Sequence, residues 1–459
     1  MSEQRRVVIT GMGAITPNGL DPESLWEAVR TGRSGIDVLA GEEFADLAVR
    51  IGGQVRDFDA ESVLPRALAR RLSPVQHWAI AAADQALAQA GIDSAARERE
   101  ARKPGARDSG AGDSGADALP WERERIGVIA ATGSGPVDAM QSATRSLLVD
   151  GPRSVPLTLS IHGAPDSAAA LISQRWDFRG PAQGVSATCA SGAIGLGEGL
   201  RRIRHGYADA VLVVGMEDCL NPVNLASNAN MRALAAGFEN DPSAASRPFD
   251  RARSGFVMSQ GAAAILLESE AGAAARGAGP LVELAGFGAA SDAHHPTNPH
   301  PDGRGAAAAV REALVDAGLA PAEIDHINAH ATGTSAGDAA ELAAFDASLG
   351  TAARTIPISA TKSSTGHLLG ASGAVEAIIA SLTMRDQILP PTLNLAEAEF
   401  DGWDIVTGHA RSFTDAVPAS ERAGTARETR HERPIDTVLS TSFGFGGHNG
   451  ALVLRRPGR

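Results

Sequence analysis

The sequence predicts an α/β protein built from two similar halves, and three observations lead there. Short apolar runs of strand character alternate with segments of helical period along most of the chain. Three pieces then recur in one order. The strand and glycine turn Ile126-Gly-Val-Ile-Ala-Ala-Thr-Gly133 is echoed by Ile327-Asn-Ala-His330-Ala-Thr332-Gly333. Ser186-Ala-Thr-Cys189-Ala-Ser-Gly192 is echoed by Ser359-Ala-Thr-Lys362-Ser-Ser-Thr-Gly366, and the strand Asp209–Gly215 by Asp436–Ser442. Finally, 459 residues exceed the usual size of one compact domain. A fused duplication accounts for all three, with halves at residues 1–270 and 271–459.

Two segments break this pattern. Residues 93–121 and 411–434 are rich in Ala, Arg, Gly, Asp, Ser and mixed charge. They carry too little apolar surface to offset chain entropy and are expected to form surface inserts, the first a mobile loop.

Hydrophobic residues make up 43% of the chain and charged residues 21%, the balance of a soluble globular protein. No apolar run approaches the roughly 20 residues that span a bilayer, and the start leads straight into a strand, so a cytoplasmic protein without a membrane is expected. A formal net charge of -13 argues against nucleic acid as the main partner. Two cysteines form no disulfide framework or zinc spacing, and His294, His295 and His300 cluster without a ligand signature.

The chemistry concentrates at glycine turns that follow strands, where α/β folds build sites. Cys189 precedes a helical stretch, Ile194 to His205. There the helix dipole favours a thiolate, and free backbone N–H groups could bind an oxyanion. Cys219 has no such setting and reads as structural. His330 and His367 each sit beside a glycine turn, where neutral imidazoles could donate to a carbonyl or move a proton. Only two of the 41 basic residues are lysines, Lys103 and Lys362. Lys362 lies in a structured glycine-rich motif, where an ammonium is not interchangeable with a guanidinium. Ser442-Phe443-Gly-Phe-Gly-Gly447 follows a strand and lets backbone approach a ligand closely.

Together these motifs resemble the β-ketoacyl-acyl carrier protein synthases of the type II elongating kind, from Arg6-Val-Val-Ile-Thr-Gly-Met-Gly to Gly446-Gly-His-Asn-Gly-Ala-Leu-Val-Leu. The resemblance implies a thiolase-like fold, two α/β halves in a five-layer αβαβα arrangement, usually dimeric. It implies that Cys189 accepts an acyl group, and that His330 and His367 act on a malonyl thioester. Lys362 with Glu376 would support the histidines, and Thr332 and Thr334 would hold the phosphopantetheine arm. It further implies that Phe443 is the gate whose backbone N–H joins that of Cys189 in the oxyanion hole, beside a mobile loop at Asp292. The implied reaction is a decarboxylative condensation giving a 3-oxoacyl-acyl carrier protein and carbon dioxide. It needs no metal or redox cofactor, because acyl carrier protein brings each substrate on its phosphopantetheine arm. The ketosynthase subunit of a type II polyketide system, paired with a chain-length-factor partner instead of a homodimer, is the alternative.

Three further expectations follow from the same resemblance. Pro136 and Met140 would line the acyl pocket. Arg66, Arg70 and Arg71 would present a basic face to the acidic carrier protein. Ser254 and Gln260 stand where acidic residues are usual.

Overall fold

The computed structural model describes residues 5–92, 119–412 and 434–458. Its strands are β1 (Val7–Ile15), β2 (Asp37–Val38), β3 (Ile51–Gly52), β4 (Ile126–Ala131), β5 (Ala182–Val185), β6 (Ala210–Glu217) and β7 (Gly261–Ser269), then β8 (Val282–Ser291), β9 (His326–Asn328), β10 (Ile358–Ser359), β11 (Ile388–Leu389), β12 (Arg411–Ser412), β13 (Thr437–Gly444) and β14 (His448–Arg455). Ten of them form one sheet in the order β10-β9-β13-β14-β8-β1-β7-β6-β4-β5.

Within that sheet the same topology occurs twice. β4 lies parallel to β5 and β6, while β7 runs antiparallel to both β6 and β1. Likewise β9 lies parallel to β10 and β13, while β14 runs antiparallel to both β13 and β8. The two five-stranded units join where Val8 and Ile9 of β1 meet Glu283 and Val282 of β8. The duplication visible in the sequence is thus a duplication of strand order.

Strands β1, β4, β6 and β7 are buried along their whole length because both faces are covered, and period-two alternation sends successive side chains to different layers. In β6, Val211 and Val213 enter a central core, whereas Leu212, Val214 and Met216 enter an outer one. The central core also takes Leu196, Leu200 and Ile203 from helix Ser191–Arg204 and Ile378, Ile379 and Leu382 from helix Ser372–Asp386. Helices Pro74–Gln89 and Ser167–Trp176 cover the outer face of the first unit. Helices Arg304–Ala317 and Ser335–Leu349 cover that of the second. Three helical layers around two sheet units give the five-layer α/β fold.

The central helices cross at glycines. A Cβ on Gly373 would lie 2.4 Å from the backbone nitrogen of Ala193, and one on Gly192 would lie 2.8 Å from that of Ala374. Only hydrogen fits there, so the amino ends of both helices, with Cys189 before one and His367 before the other, are drawn together. Every residue from Ser372 to Met384 is buried, as expected for a helix enclosed on all sides.

The two inserts are shorter than their composition implies. Trp121 is buried, donating from Nε1 to Glu268 (2.9 Å) beneath the Arg276 guanidinium. At the second insert, Arg411 and Ser412 pair with Leu389 and Ile388. Residues 93–118 and 413–433, where the loop expectation mainly falls, lie outside the described residues. Among the described residues no helix is long and apolar enough to cross a membrane.

Candidate active site

Cys189 sits in a short 3-10 turn, Thr188–Ala190, that leads into helix Ser191–Arg204; the helix begins three residues earlier than its apolar spacing suggested. The turn is strained: Thr188 has φ +49°, which a Cβ-bearing residue rarely adopts. Hydrogen bonds hold it there. Thr188 Oγ1 donates to the Phe445 carbonyl (2.8 Å), Ser191 Oγ donates to the Thr188 carbonyl (2.7 Å), and the Ala187 N–H donates back to Ser191 Oγ (2.8 Å). The partner strand must come very close, and a Cβ on Gly444 would lie 2.3 Å from Thr188 Oγ1.

This packing corrects one expectation. The backbone amide that reaches the Cys189 sulfur belongs to Phe445, two residues beyond Phe443. Phe443 still belongs to β13, paired with Asn449, and its ring packs 5.9 Å from that of His330. The chain leaves β13 through Gly446 and Gly447, both at positive φ, and that turn swings the Phe445 amide towards the sulfur.

A second correction concerns the thiol. Burial pushes the Cys189 pKa up to about 12, outweighing the Phe445 amide and the Lys362 ammonium that pull it down. The helix end therefore does not leave a resting thiolate. Desolvation wins because Cys189 is only 7% exposed.

His330 follows β9, and a buried carboxylate fixes its backbone. Glu341 accepts from the N–H of His330 (2.8 Å), the N–H of Ala331 (2.7 Å) and Thr441 Oγ1 (2.7 Å). His367 is held by backbone bonds to Val257 and Ser259, and its Nδ1 lies 3.0 Å from Ser372 Oγ. The two imidazoles meet edge to face with centroids 5.3 Å apart. His330 Nδ1 and His367 Nε2 are buried with no hydrogen-bond partner among the described residues. Burial, and after it the Lys362 charge, holds both rings well below the ordinary histidine range, so both are neutral at neutral pH.

Lys362 lies behind the rings, 1% exposed, with its Nζ on Glu376 Oε1. Burial raises the Glu376 carboxyl to about 7 against the opposing pull of Lys362, and its second oxygen has no partner.

One cavity of about 340 Å³ is lined by Cys189, His330, His367, Thr332, Thr334, Asp292, Phe443 and Phe445. The fold thus gathers all of the sequence-derived site residues except Lys362 and Glu376, which stand directly behind the histidines. Thr332 and Thr334 hydroxyls lie 3.2 Å apart, and Thr334 also caps helix Ser335–Leu349. Asp292 is buried and tied down: it accepts from Asn449 Nδ2 (2.9 Å) and the His300 N–H (3.1 Å), while its own N–H donates to Gly447. It therefore clips its loop to the Gly446–Gly447 turn.

Pro136 and Met140 do not line this cavity, and Met140 is half-exposed. Cys219 is buried, donates to the Ser259 carbonyl and lies outside the cavity. Ser254 is exposed at the cavity rim, and Gln260 is buried with its amide 3.0 Å from Asp218 Oδ1, where the nitrogen donates once the amide is turned to face that carboxylate. Among the described residues no group of histidine, cysteine and carboxylate side chains could hold a metal ion.

Two residues escaped the sequence reading. Glu341 has a signal, an acid eleven residues after His330 that shares the buried face of its helix with one other acid, Asp338. Glu217 has one too, as the charged end of the apolar strand β6. Its carboxylate accepts from the N–H groups of Gly133 (2.7 Å), Ser134 (3.0 Å) and Gly370 (3.0 Å), tying a turn of the first unit to the turn beyond His367 in the second.

The β-ketoacyl synthase N-terminal domain matches residues 4–273, and the C-terminal domain of the same family matches residues 281–396. The chain is 36% identical to the 3-oxoacyl-acyl-carrier-protein synthase 2 of Synechocystis sp. over 457 residues, covering 99% of each. It is 33% identical to the enzyme of that name from Staphylococcus aureus over 456 residues, again 99% of each. Among solved structures, a β-ketoacyl synthase from Burkholderia phymatum superposes with TM-score 0.81 at 30% identity, covering 98% of this chain and 99% of that one. A type II polyketide ketosynthase in complex with its acyl-carrier protein superposes with TM-score 0.81 at 27% identity, covering 99% of both. A buried cysteine at a strained turn, two neutral histidines across one cavity, and full-length similarity all agree: the chain belongs to the β-ketoacyl synthase family.

Proposed function

We propose that the protein condenses a Cys189-bound acyl group with malonyl-acyl carrier protein, releasing carbon dioxide and 3-oxoacyl-acyl carrier protein. The observation that carries this reading is the shared cavity, in which one thiol faces two imidazoles that burial keeps neutral. Two halves, residues 1–270 and 271–459, would each deliver part of it.

In the first half-reaction Cys189 attacks a carrier-bound thioester. The developing oxyanion is met by the N–H groups of Cys189 and Phe445, the carrier's thiol departs with the proton, and the acyl group remains on sulfur. A thiol with a pKa near 12 must lose its proton as it attacks, which suits a site that opens only to a bound thioester.

In the second, malonyl-carrier protein loses carbon dioxide. The resulting enolate oxygen takes hydrogen bonds from His330 and His367. Ser372 donating to His367 Nδ1 would place that ring's proton on Nε2, the atom without a partner. The enolate carbon attacks the Cys189 thioester, the Cys189 sulfur leaves, and one proton returns it to the thiol. Lys362 keeps the rings neutral through its charge, and Glu376 balances that charge. Thr332 and Thr334 hold the amide-bearing arm, and Asp292 sets the gate turn. The steps balance with thioesters alone, without a metal or redox partner.

Acyl carrier protein is the substrate-bearing partner in this reading, in the cytoplasm. The edge strand β5 and exposed Leu147, Leu148 and Leu157 supply a face for a second subunit. A homodimer serves fatty acid synthesis. The polyketide alternative, with a chain-length-factor subunit, is favoured by one observation: similarity at TM-score 0.81 and 28% identity to the ishigamide ketosynthase/chain length factor.

The test is intact-protein mass spectrometry of Cys189 after incubation with acyl-carrier proteins, followed by malonyl-carrier protein. Acyl capture and then 3-oxoacyl product are expected. Product formed by a Cys189→Ala variant would overturn the reading.

A further inference from the structure

Glu217 ends β6 on the face that looks into the central layer. Val211, Val213 and Gly215 precede it on that face, and a Cβ on Gly215 would lie 2.8 Å from that of Ala374. The next inward side chain is therefore aimed at the turn that starts helix Ser372–Asp386, and it is a fully buried carboxylate.

Two turns meet on it. From the first unit, the turn after β4 brings the N–H groups of Gly133 (2.7 Å) and Ser134 (3.0 Å) and the Thr132 hydroxyl (3.2 Å). From the second, the turn Leu369–Ala371 brings the Gly370 N–H (3.0 Å). All four are donors, so both oxygens accept and neither needs a proton. The approach leaves no slack, because a Cβ on Gly370 would lie 2.6 Å from Glu217 Oε2 and would strike the Gly133 nitrogen.

Each turn is built onto one reacting group. A Cβ on Gly133 would lie 3.5 Å from Thr188 Cα, and Ser186 Oγ donates to the Gly133 carbonyl (3.3 Å), so the first turn packs against that of Cys189. Gly370 stands between His367 and Ser372, whose hydroxyl lies 3.0 Å from His367 Nδ1, and its neighbour Leu369 is held at φ +44°. Cys189 and His367 also have restraints of their own, the Thr188 and Ser191 hydroxyls for one and the Val257 and Ser259 backbone for the other. The glycine crossing of the central helices presses the two units together by shape; the Glu217 bonds are directional and act at the turns themselves. The carboxylate also works against the nucleophile, since its charge adds to the burial that raises the Cys189 thiol. Geometry, rather than activation of the thiol, accounts for an acid here.

We propose that Glu217 is a positioning residue that fixes Cys189 relative to His367, so that the enolate formed at the histidines meets the acyl group held on sulfur. This rests on the reading of the cavity as a condensing site. Glu217 touches no substrate and acts through the two turns. Because each reacting group keeps its own restraints, loss of the pin leaves both half-sites formed but out of register. Acyl transfer needs Cys189 alone and decarboxylation the histidines alone, whereas forming the carbon–carbon bond needs both at one spacing.

The test measures three things on folded Glu217→Gln: acyl loading of Cys189 by intact mass, labelled carbon dioxide release from malonyl-carrier protein, and condensed product formed per carbon dioxide released by the loaded enzyme. The amide sets its NH2 against N–H donors and so loses part of the pin. Loading and decarboxylation should fall only a few fold, while product per carbon dioxide falls by about ten- to a hundredfold, the penalty of a misplacement near 1 Å. Glu217→Asp, which keeps the charge but is one methylene shorter, should uncouple the two in the same direction and serves if the amide variant does not fold. A wild-type ratio of product to carbon dioxide in either folded variant overturns the proposal. So does a parallel fall of all three measurements, which would make Glu217 a stabiliser of the fold and nothing more. Failure of the wild type to load Cys189 from any acyl-carrier protein would instead overturn the reading of the site itself.

Discussion

Replacing Lys362 with Met removes a buried charge without opening a large cavity, because the two side chains are similar in length. Lys362 is 1% exposed and Glu376 2%, so no water takes the ammonium's place beside the carboxylate. The consequence depends on pH, and its sign can be worked out. Glu376 titrates near 7 in the fold against 4.5 for an ordinary glutamate, with burial as the cause. An acid whose pKa is raised by folding binds more protons folded than unfolded. Stability therefore falls as pH climbs from the ordinary value to the folded one, by about 1.4 kcal/mol per unit. In the wild type this decline stops near pH 7, where Glu376 ionises against Lys362. Without Lys362 the carboxyl stays protonated to a higher pH and the decline continues. The deficit of Lys362→Met relative to wild type should be nearly constant below pH 7. Above it the deficit should widen by about 1.4 kcal/mol per unit, towards the roughly 3–5 kcal/mol of a broken buried pair. Urea unfolding followed by circular dichroism at pH 6, 7 and 8 measures this. An equal deficit at pH 6 and pH 8 would refute the reasoning.

Further outcomes are expected. Lys362→Arg should fold but turn over slowly, because a planar guanidinium overfills a site enclosed by helix Ser372–Asp386, at about 1–3 kcal/mol; wild-type turnover in a folded variant would contradict this. Cys189→Ala and Cys189→Gln should retain release of labelled carbon dioxide from malonyl-carrier protein while making no condensed product, whereas His330→Ala and His367→Ala should each lose most of that release. With both imidazole pKa values held well below 6.5, the rings should impose no inflection on the decarboxylation rate of Cys189→Gln between pH 6 and 8 once Glu376, which titrates near 7, is replaced by Gln; an inflection near 6.5 in that double variant would mean that a ring titrates in the open. Asp218→Asn should stabilise the fold more at pH 8 than at pH 5, by up to about 3 kcal/mol, because burial, then Asp138 and Glu217, raise that carboxyl to about 7; equal urea midpoints for variant and wild type at pH 8 would rule this out. Arg66 pairs with Glu61, so the docking charge is expected at Arg70 and Arg71, and reversing both should raise the Michaelis constant for carrier-bound substrate at low salt.

The sequence by itself determined the architecture and the identity of the chemical groups. Strand-then-glycine turns carry their own signature, so Cys189, His330 and His367 were legible from local pattern. Lys362 stood out because lysine is almost absent from this chain. The repeat of three short pieces announced the repeated strand order, since equivalent turns must follow equivalent strands.

Tertiary structure alone decided how those groups are tuned. Phe443 and Phe445 stand two residues apart in one glycine-rich run; only the fold, which ends β13 at Gly444 and turns at Gly446 and Gly447, settles whose amide reaches Cys189. Local sequence advertised a helix dipole at Cys189, but burial, which depends on what the rest of the chain brings over it, set the thiol near 12. Glu217 and Glu341 were not legible as site residues because their partners, the N–H groups of distant turns, carry no sequence signal. Backbone amides are the same at every residue, so where they converge is a property of the fold.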